Sequence, residues 1–205
     1  MSLRIKICGV TNLDDARAAA DAGADAIGFM FYESSSRNVS LAVAAAIASN
    51  LPPFVCVVGV FIDPTESFVR RAAVECNLGA LQFHGEEPPE FCARFSDTKI
   101  IKAIRVKDAE SLRILPNYAT SAWLLDSFVA GQLGGTGEKF NWDLALEAKS
   151  FGKPIILAGG LTAANVGDAV RRVRPYAVDV SSGVETAPGK KDRRKIAEFI
   201  AAARC

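Results

Sequence analysis

Leu3-Arg4-Ile5-Lys6-Ile7-Cys8-Gly9 is a short apolar-rich run that ends on a thiol and a glycine. Side chains alternate along a strand, so Cys8 shares a face with Lys6 while Ile5 and Ile7 face the other way. Gly9 stops the run, and Thr11-Asn12-Leu13-Asp14 has the form of a capping box that starts a helix. Strand, tight turn and helix make the first half of a βαβ unit. A reactive side chain on the last strand residue points into the loops above the sheet, where α/β enzymes keep their chemistry. Cys8 therefore has two readings, a chemical thiol at a strand end and a packed one, since free cysteine is commonly buried.

The same unit recurs along the chain. Strand-like runs follow at Asp25 to Phe31, Val55 to Phe61, Ala80 to Phe83, Ile100 to Ile104, Trp123 to Asp126, Pro154 to Ala158 and Ala177 to Val180. Between them lie helix signals. Ser40 opens a helix that Pro52-Pro53 ends, and Asp63-Pro64-Thr65-Glu66 reads as N-cap, proline at N1 and acid at N3. Glu86-Glu87-Pro88 opens another helix, a short one is expected from Asp108 to Leu115, Asn141 and Thr162 cap two more, and a last one begins near Lys191. Eight such units without a linker or low-complexity tract predict one α/β domain over residues 1–205, a closed (β/α)8 TIM barrel of parallel strands with outer helices. A doubly wound open sheet is the competing architecture, but it rarely needs eight uniform units.

Composition narrows the function classes. Of 205 residues half are hydrophobic and 23% charged, which suits a globular enzyme with a sizeable core. The net charge of +1 recommends neither nucleic acid nor an anionic membrane as partner. No apolar stretch approaches the ~18 residues of a membrane span, and no leader is expected ahead of the first strand. The cysteines, Cys8, Cys56, Cys76, Cys92 and Cys205, are irregularly spaced without a C-x-x-C pair. That pattern fits reduced thiols in a cytoplasmic enzyme better than a disulfide framework or a zinc site. His84 is the sole histidine, so no metal site rich in histidine is expected, and a phosphate site built on backbone amides becomes the natural alternative.

The residues just past the strands collect into a candidate site. Glycines cluster in Gly134-Gly135-Thr136-Gly137, Gly159-Gly160 and Ser181-Ser182-Gly183, after strands six, seven and eight. Glycine lets the backbone approach an anion, and barrels commonly hold phosphate between strands seven and eight. Gly134, Gly135, Gly159, Gly160, Ser181, Ser182 and Gly183 are the expected phosphate-binding residues.

A thiol and a carboxylate, Cys8 and Asp126, end strands one and six and suit a proton-transfer reaction. Moving a proton from a free thiol to a free carboxylate costs ~6 kcal/mol, so the site must bring their proton affinities together. The residues alone leave Asp126 as either acid or loop cap, and Arg37 as either a bidentate clamp for a substrate carboxylate or a solvated cation. His84 either touches substrate or orients a neighbour. Asp179 either holds a substrate hydroxyl or braces its loop. Lys6, on the face of Cys8, needs a paired acid inside the barrel.

Together these residues resemble phosphoribosylanthranilate isomerases, enzymes of tryptophan biosynthesis. Lys6-Ile7-Cys8-Gly9 matches the opening motif, and Ser36-Arg37 with Val39-Ser40 the second-loop motif. Gln82-Phe83-His84-Gly85 is similar to Gln-Leu-His-Gly, with phenylalanine for leucine. Leu125-Asp126, Gly134 to Gly137, Ala158 to Leu161 and Asp179 to Glu185 complete the set, in order and over essentially the whole chain. The resemblance implies an Amadori rearrangement of N-(5-phosphoribosyl)anthranilate without metal or organic cofactor. It implies Asp126 as general acid, Cys8 as general base, Arg37 on the anthranilate carboxylate and the glycine loops on the 5-phosphate; His84 and Asp179 are the further residues expected to bind substrate. The partner is then a small phosphorylated molecule, and the enzyme a monomer or homodimer. The related histidine-pathway isomerase has aspartate where Cys8 stands. Indole-glycerol-phosphate synthase needs lysines at strand ends, and a non-catalytic binding barrel needs no acid/base couple.

Overall fold

Alternation on each strand sends one set of side chains inward and one outward, and the structure, a computed structural model, closes these strands into a barrel. It describes residues 2–127 and 141–205. The order is β1 (Arg4–Cys8), α1 (Leu13–Asp21), β2 (Ala26–Phe31), α2 (Leu41–Ala48), β3 (Cys56–Phe61) and α3 (Glu66–Glu75). Next come β4 (Ala80–Phe83), α4 (Pro89–Ala93), β5 (Lys99–Val106) and β6 (Ala122–Ser127). The barrel ends with α5 (Trp142–Lys149), β7 (Ile155–Leu157), α6 (Val166–Val173) and β8 (Ala177–Val180). The eight strands run parallel and in sequence order, and β1 pairs with β8 to close the ring.

Ile5 and Ile7 face outward into a core shared with the helices. A smaller cluster of Ala103, Ala122, Leu124, Ile156, Ala158 and Ala177 fills the barrel interior. On the outer side Phe61, Phe83 and Phe95 pack in sequence with their rings tilted, centroids 6.1 Å and 5.4 Å apart. Phe83, the phenylalanine that replaces leucine in its motif, is the centre of this aromatic group and is fully buried.

Several local expectations are corrected. The first cap is Asn12, whose side chain accepts from Asp15 N, because Thr11 instead donates to Gly189 O. Thr65 rather than Asp63 caps α3; Asp63 takes a left-handed φ of 45° and accepts from Glu86 N. In place of the helix expected from Asp108 to Leu115 there are two 3-10 turns, Glu110–Leu112 and Leu115–Asn117. Pro116 denies a longer helix its backbone donor. α6 starts after Asn165, whose side chain accepts from Thr162 N, so Thr162 lies ahead of the cap. Beyond β8 the chain makes a 3-10 turn and an antiparallel ribbon, β9 (Glu185–Ala187) and β10 (Lys190–Lys191), which the sequence reading did not contain. α7 (Arg193–Arg204) then starts at an Asp192 cap.

Truncating the aromatic centre removes the ring that packs β4 against Phe91 of α4, with centroids 5.5 Å apart. Phe83→Ala is expected to destabilise the fold by about 3–5 kcal/mol, read as a lower urea midpoint with unchanged m-value.

Candidate active site

The strand ends open into one cavity, and Cys8, Asp126, Arg37, His84, Asp179, Gly159, Gly160, Ser181, Ser182 and Gly183 all line it. Every expected site residue within the described part of the chain is therefore brought to the same mouth. Gly134 and Gly135 lie outside the described residues. Gln82 and Arg105 also line the cavity.

Cys8 is the last residue of β1 and lies beside Gly28 of β2. Burial pushes its thiol up and Asp179 adds to the rise; the nearby Lys6 and Lys191 ammonium groups pull the other way and offset it only in part. Lys6 has the paired acid its burial requires: its Nζ donates to Asp179 Oδ1 at 2.9 Å.

Asp126 is buried near the end of β6, opposite Arg105 of β5. His84, just past β4, places Nε2 3.2 Å from Asp126 Oδ2, and its Nδ1 lies 2.9 Å from Gln82 Nε2. With the amide nitrogen facing Nδ1, the imidazole proton sits on Nε2 and is donated to the Asp126 carboxylate. With the amide turned, Nδ1 carries the proton and Nε2 accepts from a protonated Asp126. The orientation of the Gln82 amide and the tautomer of His84 are thus linked. Gly159, at φ 79°, serves the acid as well: a side-chain carbon there would lie 2.7 Å from Asp126 Oδ1 and collide with Ser127 N. Gly160, at φ 64°, follows it on the rim of the same cavity.

Arg37 is held in a specific way. Its Nε and Nη2 donate to Glu185 Oε1 and Oε2 at 2.8 and 2.7 Å, a bidentate fork. Lys191 Nζ donates to Glu185 Oε1 at 2.7 Å and to Ser181 O and Oγ. Gly9, at φ 72°, makes room for this arrangement, since a side-chain carbon there would lie 2.5 Å from Arg37 Cδ. Burial works against the Glu185 charge, but hydrogen bonds from Arg37 and Lys191 outweigh it and hold the carboxyl below the ordinary range.

The sequence reading gave no role to Glu185, Lys191 or Gln82. Gln82 carried a signal, a polar side chain inside the apolar strand Ala80–Phe83. Glu185 and Lys191 meet only through the ribbon. Among the described residues, no group of three or more metal-ligating side chains is assembled. No helix among them is long and apolar enough to cross a membrane.

Comparison with known proteins follows the same lines. A model of the N-(5'-phosphoribosyl)anthranilate (PRA) isomerase family matches residues 5–202. An N-(5'-phosphoribosyl)anthranilate isomerase of Geobacter sulfurreducens is 52% identical over 198 residues, 97% of each chain. The crystal structure of phosphoribosyl anthranilate isomerase from Thermotoga maritima superposes with a TM-score of 0.94 at 42% identity, covering 98% of both chains. Another phosphoribosyl anthranilate isomerase, in complex with reduced 1-(o-carboxyphenylamino)-1-deoxyribulose 5-phosphate, gives 0.90 at 41% identity and the same coverage.

Because the folded-state carboxyl of Glu185 is depressed, its stabilising contribution is complete above the unfolded value of about 4.3 and is lost as pH falls through the lower folded value. Urea unfolding between neutral pH and pH 3 should therefore show part of the acid loss of stability disappear in Glu185→Gln. An unchanged acid limb would mean that the carboxylate is not stabilised as described.

Proposed function

The chain belongs to the N-(5'-phosphoribosyl)anthranilate isomerase family, and from that membership we infer the division of labour among its site residues. Residues 1–205 act as one catalytic domain of a cytoplasmic enzyme whose substrate is the phosphorylated anthranilate riboside. Protonated Asp126 gives its proton to the furanose oxygen while the nitrogen lone pair opens the ring to a Schiff base. Cys8, as thiolate, takes the C2 proton; the C–H electron pair forms the C1–C2 double bond and neutralises the nitrogen. The resulting enolamine tautomerises to the ketone, and solvent returns the thiol and the carboxyl group to their starting forms. Only protons move, so the reaction asks for no redox partner.

The observation that carries this reading is the common cavity of Cys8 and Asp126, with the glycine loops after β7 and β8 on its rim. Gly159, Gly160, Ser181, Ser182 and Gly183 hold the 5-phosphate, with Gly134 and Gly135 supplying the third loop. Arg37 meets the anthranilate carboxylate with the edge of its guanidinium that Glu185 leaves open. Asp179 turns the oxygen not engaged by Lys6 toward a substrate hydroxyl, and His84 faces substrate through its contact with the acid.

The anthranilate-type fluorescence of the substrate should fall when the protein is added. Cys8→Ala and Asp126→Asn should each lower kcat by ~10²–10⁴; wild-type turnover in either variant reassigns that role. Arg37→Ala should act chiefly on KM, and an unchanged KM would remove it from the substrate site.

A further inference from the structure

The reaction above gives no part to Lys6, although this lysine lies inside the barrel directly below the base. The register sets Lys6 beside Asp179 of β8 and Cys8 beside Gly28 of β2. Lys6 and Asp179 side chains are only 5% and 8% exposed. A side-chain carbon built on Gly28 would lie 2.9 Å from Cys8 Sγ and 3.1 Å from Lys6 Nζ, so thiol and ammonium share the space over that glycine. Only a residue without a side chain lets both sit there.

Packing alone does not require this. A buried ion pair inside a barrel can often be replaced by apolar side chains without loss of stability. The interior just below is filled in that way by Ala103, Leu124, Ile156 and Ala177.

We propose that Lys6 is a positioning residue whose ammonium, held in place by Asp179, is the fixed counter-ion of the Cys8 thiolate. Its catalytic consequence rests on the isomerase reading; its geometry does not. Burial opposes charge on Lys6, but Asp179 and Cys8 outweigh it and raise the proton affinity of the ammonium. The 2.9 Å hydrogen bond to Asp179 holds the ammonium below the sulfur whether or not the sulfur carries a proton. Cys8 is faced by Lys6 on its own strand, Asp179 from β8, Lys191 from β10 and Arg37 from the loop after β2. His84 and Asp126 line the same cavity.

The test is peptide-resolved iodoacetamide labelling of Cys8 against pH, in the full-length protein without substrate. In Lys6→Met the midpoint of Cys8 alkylation should move up by about one pH unit or more, so that labelling at neutral pH slows about tenfold. Asp179→Asn keeps an oxygen to accept from Lys6 but removes the negative charge, and its midpoint should move down. A role confined to structure predicts lower thermal stability without these opposite displacements. In turnover, Lys6→Met should shift the acid limb of the kcat/KM–pH profile upward by the same amount, and Lys6→Arg should restore it in part. A midpoint unchanged in folded Lys6→Met, or unchanged or raised in Asp179→Asn, overturns the proposal. If the wild-type protein fails to convert the substrate while the labelling shifts appear, the isomerase reading fails and the counter-ion stands.

Discussion

Eight strands closed on themselves leave an interior that side chains must fill, and here one part of it, below the cavity, is taken by the ion pair of Lys6 and Asp179. Charges taken out of water are tolerated only when geometry and hydrogen bonding are good. The strand register supplies that geometry: Lys6 and Asp179 are cross-strand neighbours at the seam where β1 closes onto β8. The pair therefore marks barrel closure as well as the floor of the cavity. Cys8 stands one inward step above Lys6, and the open space over Gly28 brings sulfur and ammonium together. An apolar floor would pack as well but would take from the thiol the cation that pulls on it most, while burial favours the neutral form.

Two further buried carboxylates organise the mouth in the same manner. Glu87 accepts from Asp63 N, Gly85 N and Lys102 Nζ, the last at 2.6 Å, and so ties together the loops after β3 and β4. That knot fixes the turn that begins at His84. Glu185 collects Arg37, Lys191 and Gly189 N, joining the loop after β2 to the ribbon beyond β8. In each case a single carboxylate satisfies donors from segments far apart in sequence. Loops held by several charge-assisted hydrogen bonds lose little freedom when a substrate arrives, which is the physical meaning of a preorganised site.

How much of this was legible in the sequence follows from which interactions are local. The barrel was readable because period-2 alternation and helix signals recur unit by unit, and each is written within a few residues. The inward direction of Cys8 and Lys6 was readable for the same reason. Caps were less secure: Asp63 and Thr65 are both good N-cap residues, and the choice between them turned on Asp63 being drawn to Glu86 N in the next loop. Thr11 lost its cap role to Gly189, 178 positions away. Glu185 and Lys191 were illegible as site residues because their partners, Arg37 and Ser181, reach them through the fold. The buried Glu87 was read as a helix-opening acid, since nothing near it in sequence announces Lys102.

The two ends of the acid–base couple face opposite electrostatic problems, and the cavity answers them with different devices. On the proposed reading the base is charged while buried, so it needs a charge of the other sign that cannot leave; Lys6, fixed by Asp179, is that charge and offsets part of the cost of burial. The acid, on the same reading, carries a proton to deliver, and that proton requires an acceptor until substrate arrives. His84 provides one without any change in net charge, because moving its own proton from Nε2 to Nδ1 turns a donor into an acceptor. Gln82 can follow that move by turning its amide, since its ends differ only in hydrogen-bond sense. A second lysine beside Asp126 in place of His84 would hold the carboxylate ionised and remove the acid. An imidazole beside Cys8 in place of Lys6 would supply charge only when protonated. On the proposed reading, the pairing of lysine with the thiol and histidine with the carboxyl group is what allows a proton donor and a proton acceptor to coexist in one cavity with the donor being the intrinsically stronger acid.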